Sequence, residues 1–255
     1  MLGGPPLAVA TVKIFLATSG RSGTGFLAAA FTKFTSLEVH HEEAPVLKHD
    51  LLRRANSVPY PKCSDLVNKA KSIAGRGPYV DTAHQFMKGF APYALAEMPQ
   101  LKVVHLVRNP LEVMRSRLLR GSVPGKTGWV QSLGLPNQLL PIPAKGLTDL
   151  QLIAWDWLEH EERFHRMCTQ FSEVHELRFR DLTGTPAGTL RDLFTALGLR
   201  HSVEERQIPQ LHRNANPRPT QVLPGDLEKF QDVCTLVRTA GFSDLQWLET
   251  APYSY

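Results

Sequence analysis

An α/β fold, in which a central parallel sheet is covered on both faces by helices, is what the hydrophobic pattern of this chain predicts. Three observations carry that expectation. Short apolar runs rich in β-branched residues alternate with segments of helical period, the signature of βαβ units. The first apolar run breaks into a glycine-rich turn that feeds a helix-like segment, "KIFLATSGRSGTGFLAAAF". The chain has 255 residues and 42% hydrophobic content, enough for one substantial core, and no stretch resembles a linker between two bodies, so residues 1–255 read as a single domain.

In order, the expected strands are Val12 to Ala17, Leu37 to His41, Tyr79 to Asp81, Lys102 to Val107 and Glu173 to Leu177. The expected helices are Thr24 to Phe34, Ser64 to Ala74, Phe86 to Met98, Leu111 to Arg120, Leu147 to Phe171, Ala187 to Leu197 and Gly225 to Thr239. Two stretches interrupt the alternation. Residues 121–146 are dense in Gly, Pro and apolar side chains, and residues 209–225 in Pro, Asn and Arg. Loops this long within one domain are commonly lids or binding loops. Trp155 and Trp157 lie on an amphipathic helix and read as core, whereas Trp129, in the first loop, suits the wall of an apolar pocket.

The charge balance, 29 Lys and Arg against 24 Asp and Glu with a pI near 9.2, suits anionic ligands and equally an ordinary solvated surface. Cys63, Cys168 and Cys234 are odd in number, widely spaced and without C-x-x-C, which favours a reducing compartment over a disulfide framework or zinc site. The opening twenty residues have no basic n-region, and their apolar part is broken too soon by Gly and Pro to cross a bilayer. The expectation is a soluble, cytoplasmic protein without a membrane span, unless a leader precedes this start.

Gly20 and Gly25 have the spacing of the phosphate-binding pattern G-x-x-x-x-G-K-[ST], but Phe26 and Leu27 stand where the lysine and hydroxyl belong. A strand, glycine turn and helix start converge backbone N–H groups and the positive end of a helix dipole on one anion. Without the lysine and hydroxyl, metal-assisted triphosphate chemistry is disfavoured. Gly20, Arg21, Ser22, Gly23, Thr24, Gly25 and Phe26 remain as a cradle for a shorter anionic group. A glycine turn without any ligand is the plainer alternative.

A second segment, "LKVVHLVRNPLEVMRSRLLRG", puts Arg108 at the carboxyl end of an apolar strand, Asn109 and Pro110 at a helix start, and Ser116 two turns on. In open α/β sheets ligands bind beyond the carboxyl ends of strands, so Arg108 and Ser116 should face the same crevice as the glycine loop.

At these two motifs the sequence resembles the sulfotransferases that use 3′-phosphoadenosine 5′-phosphosulfate (PAPS). "TSGRSGTGFL" is similar to their 5′-phosphosulfate loop and "LVRNPLEVMRSRL" to their 3′-phosphate segment. "HELRFRDLTGTPAGTLRDLFTALGL" and "EKFQDVCTLVRTAGF" are similar to later strand and helix segments, with Phe179 and Arg180 standing where Tyr-Glu is usual. The resemblance implies a P-loop-like single domain and sulfonate transfer from PAPS, releasing PAP, to a hydroxyl or amine without a metal. Arg213 and Arg218 in the second loop join the donor-binding candidates.

By the same resemblance, closer to the small glutamate-base members than to the phenol type, Glu42 in "LEVHHEEAPVLK" is the expected general base and Glu43 its neighbour. His41 and His84 are the histidine alternatives. Lys88 is the candidate cation for the sulfonate, since Val80, Asp81 and Thr82 occupy the place where the family often carries a lysine. A small molecule, peptide or glycan is the expected acceptor, with no nucleic acid partner. A nucleotide kinase or triphosphatase with a degenerate loop, and a non-catalytic nucleotide-binding module, are the rival readings.

Overall fold

The computed structural model describes residues 12–46, 51, 54–55, 57–58, 60–125, 137–143, 145–211 and 221–250. Five strands, β1 (Lys13–Ala17), β2 (Glu38–His40), β3 (Tyr79–Asp81), β4 (Lys102–Val107) and β5 (Glu173–Arg178), form one sheet in the order β2-β3-β1-β4-β5. All its pairings are parallel, with Phe15 opposite Asp81 on one side of β1 and Ala17 opposite His105 on the other. The sheet confirms the α/β architecture read from the sequence, and all ten strand starts and ends fall within a residue of expectation.

Alternation along β1 assigns the two faces, because successive side chains of a strand point to opposite sides. Phe15 and Ala17 pack with Tyr79 and Val103 beneath α2 (Ser64–Ala74) and α3 (Ala91–Glu97). Ile14 and Leu16 pack with Val80, Val104 and Leu106 against α1 (Thr24–Phe34) and, further along the chain, α7 (Pro186–Ala196). Both faces of β1 are therefore dry, which explains its continuous apolar run. A third cluster joins α4 (Pro110–Leu118), α5 (Asp149–Met167) and α9 (Asp226–Thr239) around Trp155, Trp157 and Phe230.

The expected helix from Phe86 to Met98 is two pieces. A 3-10 turn, Phe86–Lys88, is cut from α3 by Gly89 at φ +144°, a conformation that side chains other than glycine's resist. Downstream, Phe179–Gly184 forms a short helix, α6, and Ile208–Leu211 a single turn, α8, neither of which the pattern predicts.

The helix expected from Leu147 to Phe171 starts only at Asp149, where Thr148 and Gln151 form a capping box, and it is not simply amphipathic. Asp156, Glu159, Glu161 and Glu162 are buried beside its tryptophans. Each has a cationic or hydrogen-bonding partner, as burial of charge requires: Asp156 with Arg117, Glu159 with Arg163, Glu161 with His105 and Glu162 with Arg166. Glu159 also accepts the backbone N–H groups of Leu139 and Leu140, and Trp155 Nε1 donates to the Leu140 carbonyl at 2.6 Å. These bonds bind part of the first long loop to α5. Among the described residues no helix is long and apolar enough to cross a membrane.

Candidate functional site

β1 and β4 are neighbours, yet the chain leaves β1 toward β2 at one edge and β4 toward β5 at the other. Their carboxyl ends therefore open a crevice, the place where α/β sheets bind ligands. The glycine loop enters it from β1. Gly20 and Gly23 have φ of +86° and +98°, and a Cβ at these positions would lie 3.3 Å from the His84 ring and 3.1 Å from the Phe179 ring. Glycine is demanded twice at each position, by backbone and by space. Gly25 is different, since a Cβ there would meet nothing within 4 Å.

Gly23 begins α1 with no side-chain cap, and no acidic residue occupies the first turn. The end of the helix dipole that favours an anion is thus directed at the crevice. Ser22 is buried and its hydroxyl donates to the Gly20 carbonyl at 3.1 Å, so it shapes the loop, whereas Thr24 lines open space. Arg21 adopts a left-handed φ of +58°, uncommon outside glycine.

The second motif holds that conformation. Arg108 Nη1 donates to the Arg21 carbonyl at 2.8 Å, and Arg21 Nε donates to Ser116 Oγ at 3.3 Å. Arg108 and Ser116 are thus brought against the glycine loop through Arg21, although neither lines the adjoining cavity. Arg108 also donates to Glu112 at 2.8 Å, and its guanidinium carbon lies 4.4 Å from the centre of the Phe179 ring. Phe179 thus touches both halves of the site. Burial, followed by the neighbouring Arg120 and Arg108 charges, pulls the Arg21 pKa below its usual value. Three guanidinium groups, those of Arg21, Arg108 and Arg120, are thus crowded together.

A cavity of about 490 Å³ opens beside this crowd. Ser19, Gly20, Arg21 and Thr24 line one side; His41, Glu42 and His84 line another; Lys88, Arg117, Arg120, Gly121 and Ser122 complete it. Every catalytic candidate named from the sequence, Arg21, His41, Glu42, His84 and Lys88, is on its wall.

Of the two adjacent glutamates, only Glu42 faces this space. Its φ is +65°, and its backbone N–H is held by the Asp81 carboxylate, which also accepts the Ala83 N–H at 2.9 Å. Glu43 turns away: its carboxylate pairs with His40 and Arg76, and its carbonyl accepts from Lys69 Nζ at 2.5 Å. Two strained non-glycine residues, Arg21 and Glu42, thus face each other's cavity, and strain retained in this way clusters at functional sites.

The histidines differ in state. Thr82 Oγ1 donates to the His40 carbonyl at 3.2 Å, so it accepts from His41 Nδ1–H at 2.9 Å and leaves Nε2 as the acceptor of that ring. His84 Nδ1 lies 3.7 Å from Glu42 Oε1, and burial, reinforced by the Lys88 charge, holds its pKa well below the usual value. Behind it His160, pushed down to about 3 chiefly by burial, donates Nε2–H to the His84 carbonyl at 3.2 Å.

Lys88 and Arg117 share one counterion. Asp156 Oδ2 lies 3.6 Å from Lys88 Nζ and 2.5 Å from Arg117 Nη1. Burial alone would raise the Asp156 pKa, but the two cations more than reverse this and hold it far below the usual carboxylate range. Lys88 is pulled down by burial and supported by Asp156.

Asp156, Arg117, Arg120 and Phe179 are among the site residues not foreseen from the sequence. A carboxylate between two tryptophans, in "AWDWLE", is the signal that was there to be used, because a charge on a buried helix face needs a partner. Nothing comparable marks Arg120, whose place depends on where α4 ends. Arg213, Arg218 and Trp129 lie outside the described residues.

No family model matches the sequence, and no curated protein matches it. Among solved structures, a sulfotransferase from Alicyclobacillus acidocaldarius is 15% identical, with a TM-score of 0.50 over 95% of this chain and 100% of that one. The mouse sulfotransferase SULT7A1, solved with PAP, is 12% identical, with a TM-score of 0.51 over 94% of this chain and 89% of the other. At these identities the matches speak to architecture, and with the parallel sheet and the crevice at its switch point they establish that this single α/β domain has the sulfotransferase fold.

Proposed function

We propose that the protein transfers a sulfonate group from PAPS to a hydroxyl or amine of an acceptor. The observation that carries this reading is one cavity holding a phosphate-type cradle, crowded guanidinium groups and a single strained carboxylate, Glu42. PAPS, when bound, supplies an activated sulfonate and leaves as PAP. The residues present fit such a group. The uncapped start of α1, with Arg21 and Thr24, suits its 5′ end. Arg108 and Ser116, each hydrogen-bonded to Arg21, suit the separate 3′-phosphate, for which a guanidinium fork is well shaped.

Lys88 and Arg117 provide positive charge where the transferring oxygens carry negative charge, and they act in a site partly withdrawn from water. Glu42 accepts the proton of the acceptor as its oxygen or nitrogen attacks, a contribution of about 10² to 10⁴ in rate for a well-placed base. His84, kept neutral at 3.7 Å from Glu42, adds no competing positive charge beside that carboxylate. His41, with its Nε2 available, is the alternative proton acceptor on the same wall.

Calorimetry with PAP in EDTA, followed by assay of PAP release from PAPS across phenol, sugar, amine and peptide acceptors, tests the proposal. Metal-independent PAP binding and acceptor-dependent release are the expected results. Turnover of ATP that requires Mg²⁺, with no response to PAPS, would replace this reading with a kinase or triphosphatase. PAP binding without turnover, in a preparation that binds acceptor, would leave a nucleotide-binding module.

A further inference from the structure

We infer that Asp156 is a positioning residue, whose buried carboxylate holds the Lys88 ammonium and the Arg117 guanidinium together as a cationic clamp on the cavity wall. The inference rests on the sulfonate-transfer reading for what the clamp faces, though not for its existence.

The geometry is specific. The side chains of Lys88 and Arg117 are only 4% and 6% exposed, and Asp156 is 2% exposed. A guanidinium keeps its charge under such burial, but an ammonium sheds its proton readily unless an anion lies beside it. The groups facing Lys88 come from four segments: Asp156 and His160 from α5, Arg117 from α4, His84 from the segment after β3, and Glu42 from the loop after β2. The histidines are buried and neutral, and Arg117 disfavours a second cation. Of the two carboxylates that favour it, Asp156 exerts the larger pull.

Asp156 is also the better anchored of the two. It lies between Trp155 and Trp157, both fully buried, so α5 cannot turn without opening the core. Arg117 continues the clamp outward: Nε donates to the Ser122 carbonyl at 3.3 Å, at the rim of the cavity. One buried carboxylate thereby sets two wall cations and the start of the first long loop.

Lys88 is a cation below its pKa and is neutralised as pH rises. Removing the Asp156 charge lowers that pKa, so the alkaline limb of donor binding and turnover should move to lower pH in Asp156→Asn. A close opposite charge is worth about 1 to 3 pH units, and that is the shift expected. Asp156→Glu should restore most of it. In a Lys88→Met background the Asp156→Asn change should no longer move the alkaline limb.

The direct test is ¹³C NMR titration of lysine-labelled protein, with the Lys88 resonance assigned by its loss in Lys88→Met. The wild type should show Lys88 still charged at pH 7, and Asp156→Asn should show it titrating lower. A Lys88 already neutral at pH 7 in the wild type, or an unchanged alkaline limb in folded Asp156→Asn, overturns the inference. If Asp156→Asn does not fold, the wild-type titration and the Asp156→Glu profile decide. Should the wild type neither bind PAP nor consume PAPS, the sulfonate reading fails, while the NMR titration still judges the clamp.

Discussion

Replacing Arg108 with alanine separates the two jobs that the structure gives this side chain. One job is internal, since its Nη1 bond to the Arg21 carbonyl supports a backbone at φ +58°. The other, proposed, is to bind a 3′-phosphate. The Glu112 pair matters little to either, because Glu112 is 39% exposed and such i,i+4 pairs contribute only about 0.3–0.5 kcal/mol. A hydrogen bond to a charged group is worth about 1.5–3 kcal/mol, and tenfold in affinity corresponds to about 1.4 kcal/mol, so PAP should bind about ten- to a hundred-fold more weakly to Arg108→Ala.

AMP lacks the 3′-phosphate, so it should register only the loosened loop, a loss of a few-fold. Adenosine 5′-phosphosulfate, lacking it too, should lose as little as AMP. Arg108→Lys should fall between, keeping a charge but not the fork that can donate to Arg21 and a phosphate together. The assay is calorimetry of PAP and AMP against wild type and both variants at one ionic strength. Equal losses for PAP and AMP would refute the assignment, leaving Arg108 as a prop for the glycine loop and nothing more.

Other expectations follow from the same geometry. Glu42→Gln should lower kcat by about 10² or more while PAP affinity stays near wild type, and a nitrophenol acceptor, which ionises unaided, should partly rescue it; near-normal turnover in Glu42→Gln with loss in His41→Ala or His84→Ala would move the base to that histidine. Gly23→Ala should cost about 1–2 kcal/mol in backbone strain plus about 1–3 kcal/mol for a Cβ at 3.1 Å from Phe179, and Phe179→Ala should recover only the second part in thermal melts. Acid should destabilise the fold below pH 6.5, because a histidine whose folded pKa is about 3 binds a proton first in the unfolded chain. His160→Asn should flatten that decline by up to about 1.4 kcal/mol per pH unit, and a decline as steep as that of wild type would mean that His160 is not buried neutral.

Much of the fold is legible in the sequence because its determinants are local. β1 is apolar from Ile14 to Ala17 and β4 is interrupted between its ends only by His105, as suits strands dry on both faces, and the pattern places their ends to within one residue. The misses are also local, but of a different physical kind. Gly89 ends one helical piece through a left-sided φ that a hydrophobic period does not register. α6 begins at Phe179, in a segment whose sequence reads as a turn between strand and helix; its ring is placed by Gly23 and Arg108, which are 156 and 71 positions away in sequence. α5 misleads in the opposite sense, since its acids suggest a solvated face and instead each finds a side-chain partner in the interior.

The site divides along the same line. The glycine loop and the Arg108–Ser116 segment are visible as strand-turn-helix segments, because glycine spacing and a helix start are local features of the sequence. The choice between Glu42 and Glu43 is not visible, since both are acidic residues after one strand and no period distinguishes them. Three long-range contacts make it: Arg76 takes the Glu43 carboxylate, Lys69 takes the Glu43 carbonyl, and Asp81 takes the Glu42 N–H. Together they hold Glu42 at φ +65° and direct its neighbour away. Lys69→Met should therefore lower turnover although Lys69 is absent from the cavity wall, and it should do so without weakening PAP, whose proposed site lies on the segments that follow β1 and β4. A Lys69→Met enzyme with wild-type kcat would mean that Glu42 holds its place without this support, and that Asp81 and Arg76 suffice to set its position.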